Sequence, residues 1–166
     1  RVKSYDFTSI GMDHAYFDDK LNQGVLDWMA DHCYLPALEA LQSMAELSKG
    51  DFRVSFSASG TFLEQLEQYR PDVLASFQAL HATGCVEWVG ETYYHSLASL
   101  YSWAEFERQV KMQAAKIQSL FGVTPVIFRN TELLFSNDLV KEVVRLGFKG
   151  ILVPSTEKLL KQRSPN

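Results

Sequence analysis

The sequence predicts an α/β protein whose strands run parallel. Three features predict it: short apolar or alternating segments recur between stretches of helical periodicity, the connections between those segments are too long for hairpins, and no strand is followed by the glycine-rich turn of a nucleotide-binding fold. Repeated βα units pack their helices on a parallel sheet. Four strands are legible, fewer than a closed barrel needs, so the segment reads as an incomplete α/β barrel of about four βα units.

Taken in order, Tyr5 to Leu21 is aromatic and acidic without a period and reads as a loop. A helix is expected from about Asn22 to Cys33, then a break before Pro36, which suits a first helical turn. The next helix carries Leu38, Leu41, Ala45 and Leu47 and is stopped at Gly50. Strict alternation from Arg53 to Ser59 gives a strand with Val54 and Phe56 on one face. Phe62, Leu63 and Leu66 mark a helix, and Pro71 opens another with Val73, Leu74, Phe77 and Leu80 at helical spacing. Thr83-Gly84 ends it, and Cys85 to Val89 is the second strand. A loop rich in Tyr, Ser and His runs from Gly90 to Ser102. Phe106, Val110, Ala114, Ile117 and Leu120 then form one helical stripe, ended by Gly122. Pro125 to Phe128 is a short buried strand. Asn137 is the expected cap of a helix holding Leu139, Val140, Val143 and Leu146, and Gly150 to Val153 is the fourth strand.

The chain has 166 residues, 46% apolar and 22% charged, an ordinary composition for one packed domain. Net charge is −4 and the basic residues are scattered, so nucleic acid is not an expected partner. No apolar run approaches the ~20 residues that span a bilayer, and no signal peptide is visible, so no membrane partner and a cytoplasmic location are expected. Cys33 and Cys85 match no metal or redox spacing and read as buried free thiols. The first residue is Arg1 rather than Met and the last four are Arg163-Ser164-Pro165-Asn166, which reads as an excerpt of something longer.

In parallel α/β sheets, sites form at the carboxyl ends of the strands. The first strand is followed by Ser57, Ser59 and Thr61. The second holds Glu87 and leads to Glu91, Tyr93, Tyr94 and His95. The third leads to Arg129, Asn130, Thr131 and Glu132, and the fourth to Ser155, Thr156 and Glu157. Glu132 is either a helix N-terminal charge or a functional carboxylate; the helix expected to start only at Asn137 speaks for the second. Glu87, inside a strand, is either on the outer face or part of a site, since an unpaired buried carboxylate is costly. Tyr93 and Tyr94 cannot both point inward. His14 with Asp13, Asp18 and Asp19 matches no strong metal-ligand spacing.

Five segments together, Cys33-Tyr34-Leu35-Pro36, Val54-Ser55-Phe56-Ser57, Gly84-Cys85-Val86-Glu87-Trp88, Glu91-Thr92-Tyr93-Tyr94-His95-Ser96-Leu97 and Phe128-Arg129-Asn130-Thr131-Glu132-Leu133, resemble the α-amylase-type branch of glycoside hydrolase family 57. The resemblance implies that residues 1–166 are part of a single (β/α)7 catalytic barrel, with the first strand before Arg1 and the C-terminal portion after Asn166. It implies a retaining glycoside hydrolase acting on α-1,4-glucans or maltooligosaccharides without a metal or other cofactor. Glu132 falls on the family's nucleophile and Glu87 on a substrate-binding Glu; the acid/base Asp would follow Asn166, so the isolated segment is expected to be inactive. Glu91, Tyr94, His95 and Arg129 are further candidates for holding sugar, and Trp88 or Tyr94 for stacking on a ring. Arg129 stands where glucanotransferase members carry Trp. The alternatives are a 4-α-glucanotransferase or branching enzyme, a non-catalytic glucan-binding member, and, more remotely, a metal-dependent polysaccharide deacetylase.

Overall fold

Alternating and apolar segments form four short strands, Val54–Ser57 (β1), Val86–Gly90 (β2), Ile127–Arg129 (β3) and Gly150–Leu152 (β4). In the computed structural model, which describes residues 2–3, 7–9, 11–12 and 16–155, they make one sheet in the order β1-β2-β3-β4. Every pairing is parallel, with Val54 opposite Val86, Phe56 opposite Trp88, Gly90 opposite Phe128 and Phe128 opposite Ile151. Val126, expected inside the third strand, lies just before it; its carbonyl accepts the Lys149 N–H at 2.8 Å and begins the pairing with β4.

Among the described residues two helices precede β1, Asp19–Met29 (α1) and Leu35–Leu47 (α2), and four fill the connections: Gly60–Tyr69 (α3) and Pro71–Ala82 (α4), Trp103–Phe121 (α5) and Asn137–Arg145 (α6). The expected break before Pro36 is absent. Residues Ala30–Tyr34 form a π turn in which the Leu35 N–H reaches back to the Ala30 carbonyl, so α1 runs on into α2 and the widened turn takes the proline. The last helix is capped by Ser136, whose hydroxyl accepts the Leu139 N–H, rather than by Asn137. The three glycines expected to stop helices, Gly50, Gly84 and Gly122, have left-handed φ, as does Gly147 after α6.

Helices cover one face of the sheet. On that face Phe56, Phe77, Trp88 and Phe121 pack together, with Trp88 stacked on Phe121 at 4.0 Å between ring centres. Such aromatic pairs add about 0.5–1.5 kcal/mol each beyond the area they bury. A second cluster gathers Phe106, Val110, Phe128, Leu139, Val143 and Phe148. Gly90 allows it: a Cβ there would lie 2.6 Å from the Phe148 ring. Cys85 is buried as expected, but Cys33, on the π turn, is exposed.

Strand residues alternate between faces, so Ser55, Ser57, Glu87 and Arg129 point away from the helices. The rim built from the ends of β1, β2 and β3 stands at the edge of that helix-free face.

Candidate active site

β1 delivers Ser57 to the rim, and Ser59 two residues on caps α3 by accepting the Phe62 N–H at 3.3 Å. β2 ends in a buried triplet, Glu91, Thr92 and Tyr93, before the chain surfaces at Tyr94 and His95. β3 ends similarly, with Asn130 and Thr131 buried and Glu132 turned out to solvent, its side chain 74% exposed.

Polar side chains lock these two loops together from below. Thr92 and Thr131 share a buried hydroxyl–hydroxyl hydrogen bond of 3.1 Å, and Thr92 Oγ1 also accepts the Ser96 N–H at 2.9 Å. Asn130 Nδ2 donates to Ser99 Oγ and to the Leu134 carbonyl. Gln109, on α5, accepts from the Tyr94 N–H and the Ser96 hydroxyl. So held, three residues without the freedom of glycine take left-handed backbone: His95 at φ 50°, Glu132 at 54° and Leu133 at 54°. Each such residue costs on the order of 1–3 kcal/mol and persists only where the surroundings impose it, as at functional sites.

Above this floor runs a chain of polar contacts. The Ser57 hydroxyl donates to Glu91 Oε1 at 3.1 Å, His95 Nδ1 meets Glu91 Oε2 at 2.9 Å, and His95 Nε2 stands 3.5 Å from Glu132 Oε1. Glu91, His95 and Arg129 also line one cavity of about 420 Å³, with Ser57, Ser59, Tyr34, Phe56, Phe62 and Phe77. An open cleft with serine hydroxyls, an imidazole, a guanidinium and aromatic walls, and the exposed Glu132 carboxylate beside it, suits a polyhydroxylated ring, whose hydroxyls need polar partners and whose C–H face needs apolar surface.

Of the residues singled out in the sequence, Glu91, His95, Arg129 and Glu132 are thus gathered at one rim. Glu87 shares the helix-free face but lies three residues before the end of β2, about 10 Å along the strand at 3.3 Å per residue. Tyr94 is turned away from the cavity: it packs edge-on against Tyr93 and lies under the Arg108 guanidinium of α5, 5.9 Å from its ring centre. Tyr93 is the packing member of the pair, with its hydroxyl on Glu64 at 2.6 Å; burial first, and then that carboxylate, push its phenol well above the ordinary value. Trp88 is 3% exposed and stacked in the core, so it offers no ring face to a sugar. Ser155 is exposed beyond β4, while Thr156 and Glu157 lie outside the described residues, as do Asp13 and His14. Asp18 caps α1, accepting the Leu21 N–H at 3.0 Å. Among the described residues no set of three His, Cys, Asp or Glu side chains is arranged to hold a metal ion.

Sequence reasoning missed the links from Ser57 to Glu91 to His95, and the roles of Tyr34 and Phe62 as cavity walls. The signal available was the Glu91–His95 spacing of four, directly after a buried strand end.

The model of the family described as "Glycosyl hydrolase family 57" matches residues 3–166. A curated protein of Methanocaldococcus jannaschii named "Putative alpha-amylase" is 40% identical over 152 residues, covering 91% of this chain and 32% of that protein. Among solved structures, a 4-alpha-glucanotransferase from Thermococcus litoralis superposes with a TM-score of 0.70 at 24% identity, covering 79% of this chain and 20% of that one. The alpha-amylase AmyC from Thermotoga maritima gives 0.61 at 15% identity, covering 82% and 36%. A family 4 carbohydrate esterase from Streptomyces lividans shares the fold at 0.54 and 15% identity, covering 78% and 60%. The chain therefore spans about a third of its curated relative, and the three structural likenesses speak to fold alone.

Proposed function

This chain belongs to glycosyl hydrolase family 57, and from that premise we propose that it carries the nucleophile side of a retaining site acting on α-1,4-glucans, with Glu132 as the attacking carboxylate. The observation that carries the reading is the placement of Glu132: an exposed carboxylate on imposed left-handed backbone at the carboxyl end of β3, with His95 Nε2 3.5 Å away and the cleft of Glu91, His95 and Arg129 beside it.

In this mechanism a Glu132 oxygen forms a bond to the anomeric carbon while the bond to the leaving glycosidic oxygen breaks. A second carboxyl, outside the residues of this rim and about 5–5.5 Å from the first, gives that oxygen its proton. It then takes a proton from the incoming water, which releases Glu132. Glu87, on the helix-free face inside a seven-stranded barrel, and Arg129 hold sugar hydroxyls. Arg129 stands where the glucanotransferase members of the resemblance carry Trp, which fits the amylase-type branch.

The test is Glu132→Gln in the full-length polypeptide that carries this chain, assayed on maltooligosaccharides. Turnover should fall by roughly a thousandfold or more with glucan binding kept, because the covalent step has no substitute. Near-wild-type turnover would remove Glu132 from the mechanism, and a product of inverted anomeric configuration would remove the retaining reading. A wild-type polypeptide that binds glucan without cleaving it would make this a binding member of the family.

A further inference from the structure

Glu91 stands out because its chemistry is spent inside the protein. It is 2% exposed, and both of its oxygens are engaged, Oε1 by the Ser57 hydroxyl and Oε2 by His95 Nδ1. A carboxylate at that depth presents no surface to a sugar hydroxyl, yet burying one is unfavourable unless its partners are worth having. Those partners lead outward: the opposite nitrogen of the same imidazole, Nε2, faces Glu132 Oε1.

We propose that Glu91 and His95 are positioning residues for Glu132, the buried carboxylate holding the imidazole so that Nε2 secures one oxygen of the nucleophile and leaves the other free for the anomeric carbon. The proposal rests on the reading of Glu132 as the nucleophile. Glu132 needs such a partner, since its long side chain is largely in water and would otherwise sample many rotamers. His95 can supply it because its own place is set by the fold. Its N–H donates to the Thr92 carbonyl at 3.0 Å, and Thr92 is bonded across to Thr131, next to Glu132. Both ring nitrogens face carboxylate oxygens, Nδ1 the buried Glu91 and Nε2 the exposed Glu132. The 3.5 Å contact is the long, uncommitted kind that tightens when a site closes on its substrate.

The experiment compares Glu91→Gln, His95→Ala, the double variant and Ser57→Ala in the full-length polypeptide, on a maltooligosaccharide. Glu91→Gln should lose roughly 100-fold in kcat with KM unchanged, the scale expected when a reacting group is misplaced by about an ångström. The double variant should be no slower than His95→Ala, because the two residues act through one contact. Histidine-labelled nitrogen NMR should show His95 Nδ1 as a nitrogen hydrogen-bonded to a carboxylate, a signature lost in Glu91→Gln and not moved by a merely structural role. If Glu91→Gln fails to fold, Ser57→Ala, on the exposed end of β1, carries the test: it should lower kcat by a few-fold, and not at all in a His95→Ala background. A raised KM at unchanged kcat in Glu91→Gln, losses that multiply in the double variant, or an unchanged kcat in Ser57→Ala would overturn the positioning role. Near-wild-type turnover in Glu132→Gln removes the nucleophile reading whatever these variants do. An inactive Glu132→Gln combined with multiplying losses removes the positioning alone.

Discussion

Gly60 opens α3 directly against the Tyr93 ring, where a Cβ would lie 2.2 Å from Cε2. The Gly60 N–H also donates to the Tyr93 carbonyl at 2.8 Å, so this one residue docks the loop that ends in His95 onto α3. Gly60→Ala forces the ring aside and should cost roughly 1–3 kcal/mol, the usual penalty for overpacking. Thermal unfolding checks it, and an unchanged midpoint would mean that Tyr93 has slack the packing does not suggest. The same contact explains what the sequence could and could not say about single residues. The rim position of Glu132 was legible because its signal is local, a carboxylate following a buried strand and preceding the α-helix that starts at Asn137. Burial of Glu91 was not, because it depends on Ser57 and His95 arriving from elsewhere in the chain. Trp88 and Tyr94 look alike in the sequence as stacking candidates; one is consumed by Phe121 and the other turned towards Arg108, and both outcomes are tertiary.

At the scale of elements, helices with a clean apolar stripe were read within a few residues, and α5 is the clearest case, capped by Ser102 through its bond to the Glu105 N–H. The failure at Pro36 has a physical cause. Proline argues for a helix start only if the helix stays α, and a π turn lets the chain pass through. Between α5 and α6 the connection is electrostatic as well as apolar. The Arg145 guanidinium, and next the Lys111 ammonium, hold the Glu107 carboxyl at about 2, below its ordinary 4.5. A carboxyl depressed on folding contributes stability that is complete above its unfolded value and disappears as pH falls through the folded one. Wild type should therefore exceed Glu107→Gln in thermal midpoint at neutral pH, by a small margin because the groups are at the surface, and the gap should close as pH drops from about 4.5 to about 2. A gap that persists at the acid end would assign the effect to packing of the side chain instead of its charge.

For the whole molecule, the parallel sheet was legible because periodicity alone distinguishes strand from helix, and connection length alone excludes hairpins. The division of its packing into two clusters was not, since that depends on which helix lies across which strands. One cluster surrounds Trp88 and reaches α2, α3 and α4; the other surrounds Phe128 and reaches α6. Among the described residues only α5 contributes buried residues to both, Ile117 and Phe121 to the first, Phe106 and Val110 to the second. Between them sits Gln113, fully buried, with its amide donating to the Ala58 carbonyl at the end of β1 at 3.1 Å. A helix that is shared in this way cannot lose one cluster without exposing apolar surface of the other, so the two should unfold together. Leu139→Ala, in the second cluster, should cost roughly 2–5 kcal/mol. With Trp28 and Trp103 replaced by Phe, Trp88 becomes the sole tryptophan and reports on the first cluster. Its fluorescence midpoint should then fall by the same amount as that of far-ultraviolet circular dichroism. A Trp88 transition that stays in place while the dichroism shifts would show that α5 does not couple the two halves, and the rim that joins β2 to β3 would rest on two independently folding parts.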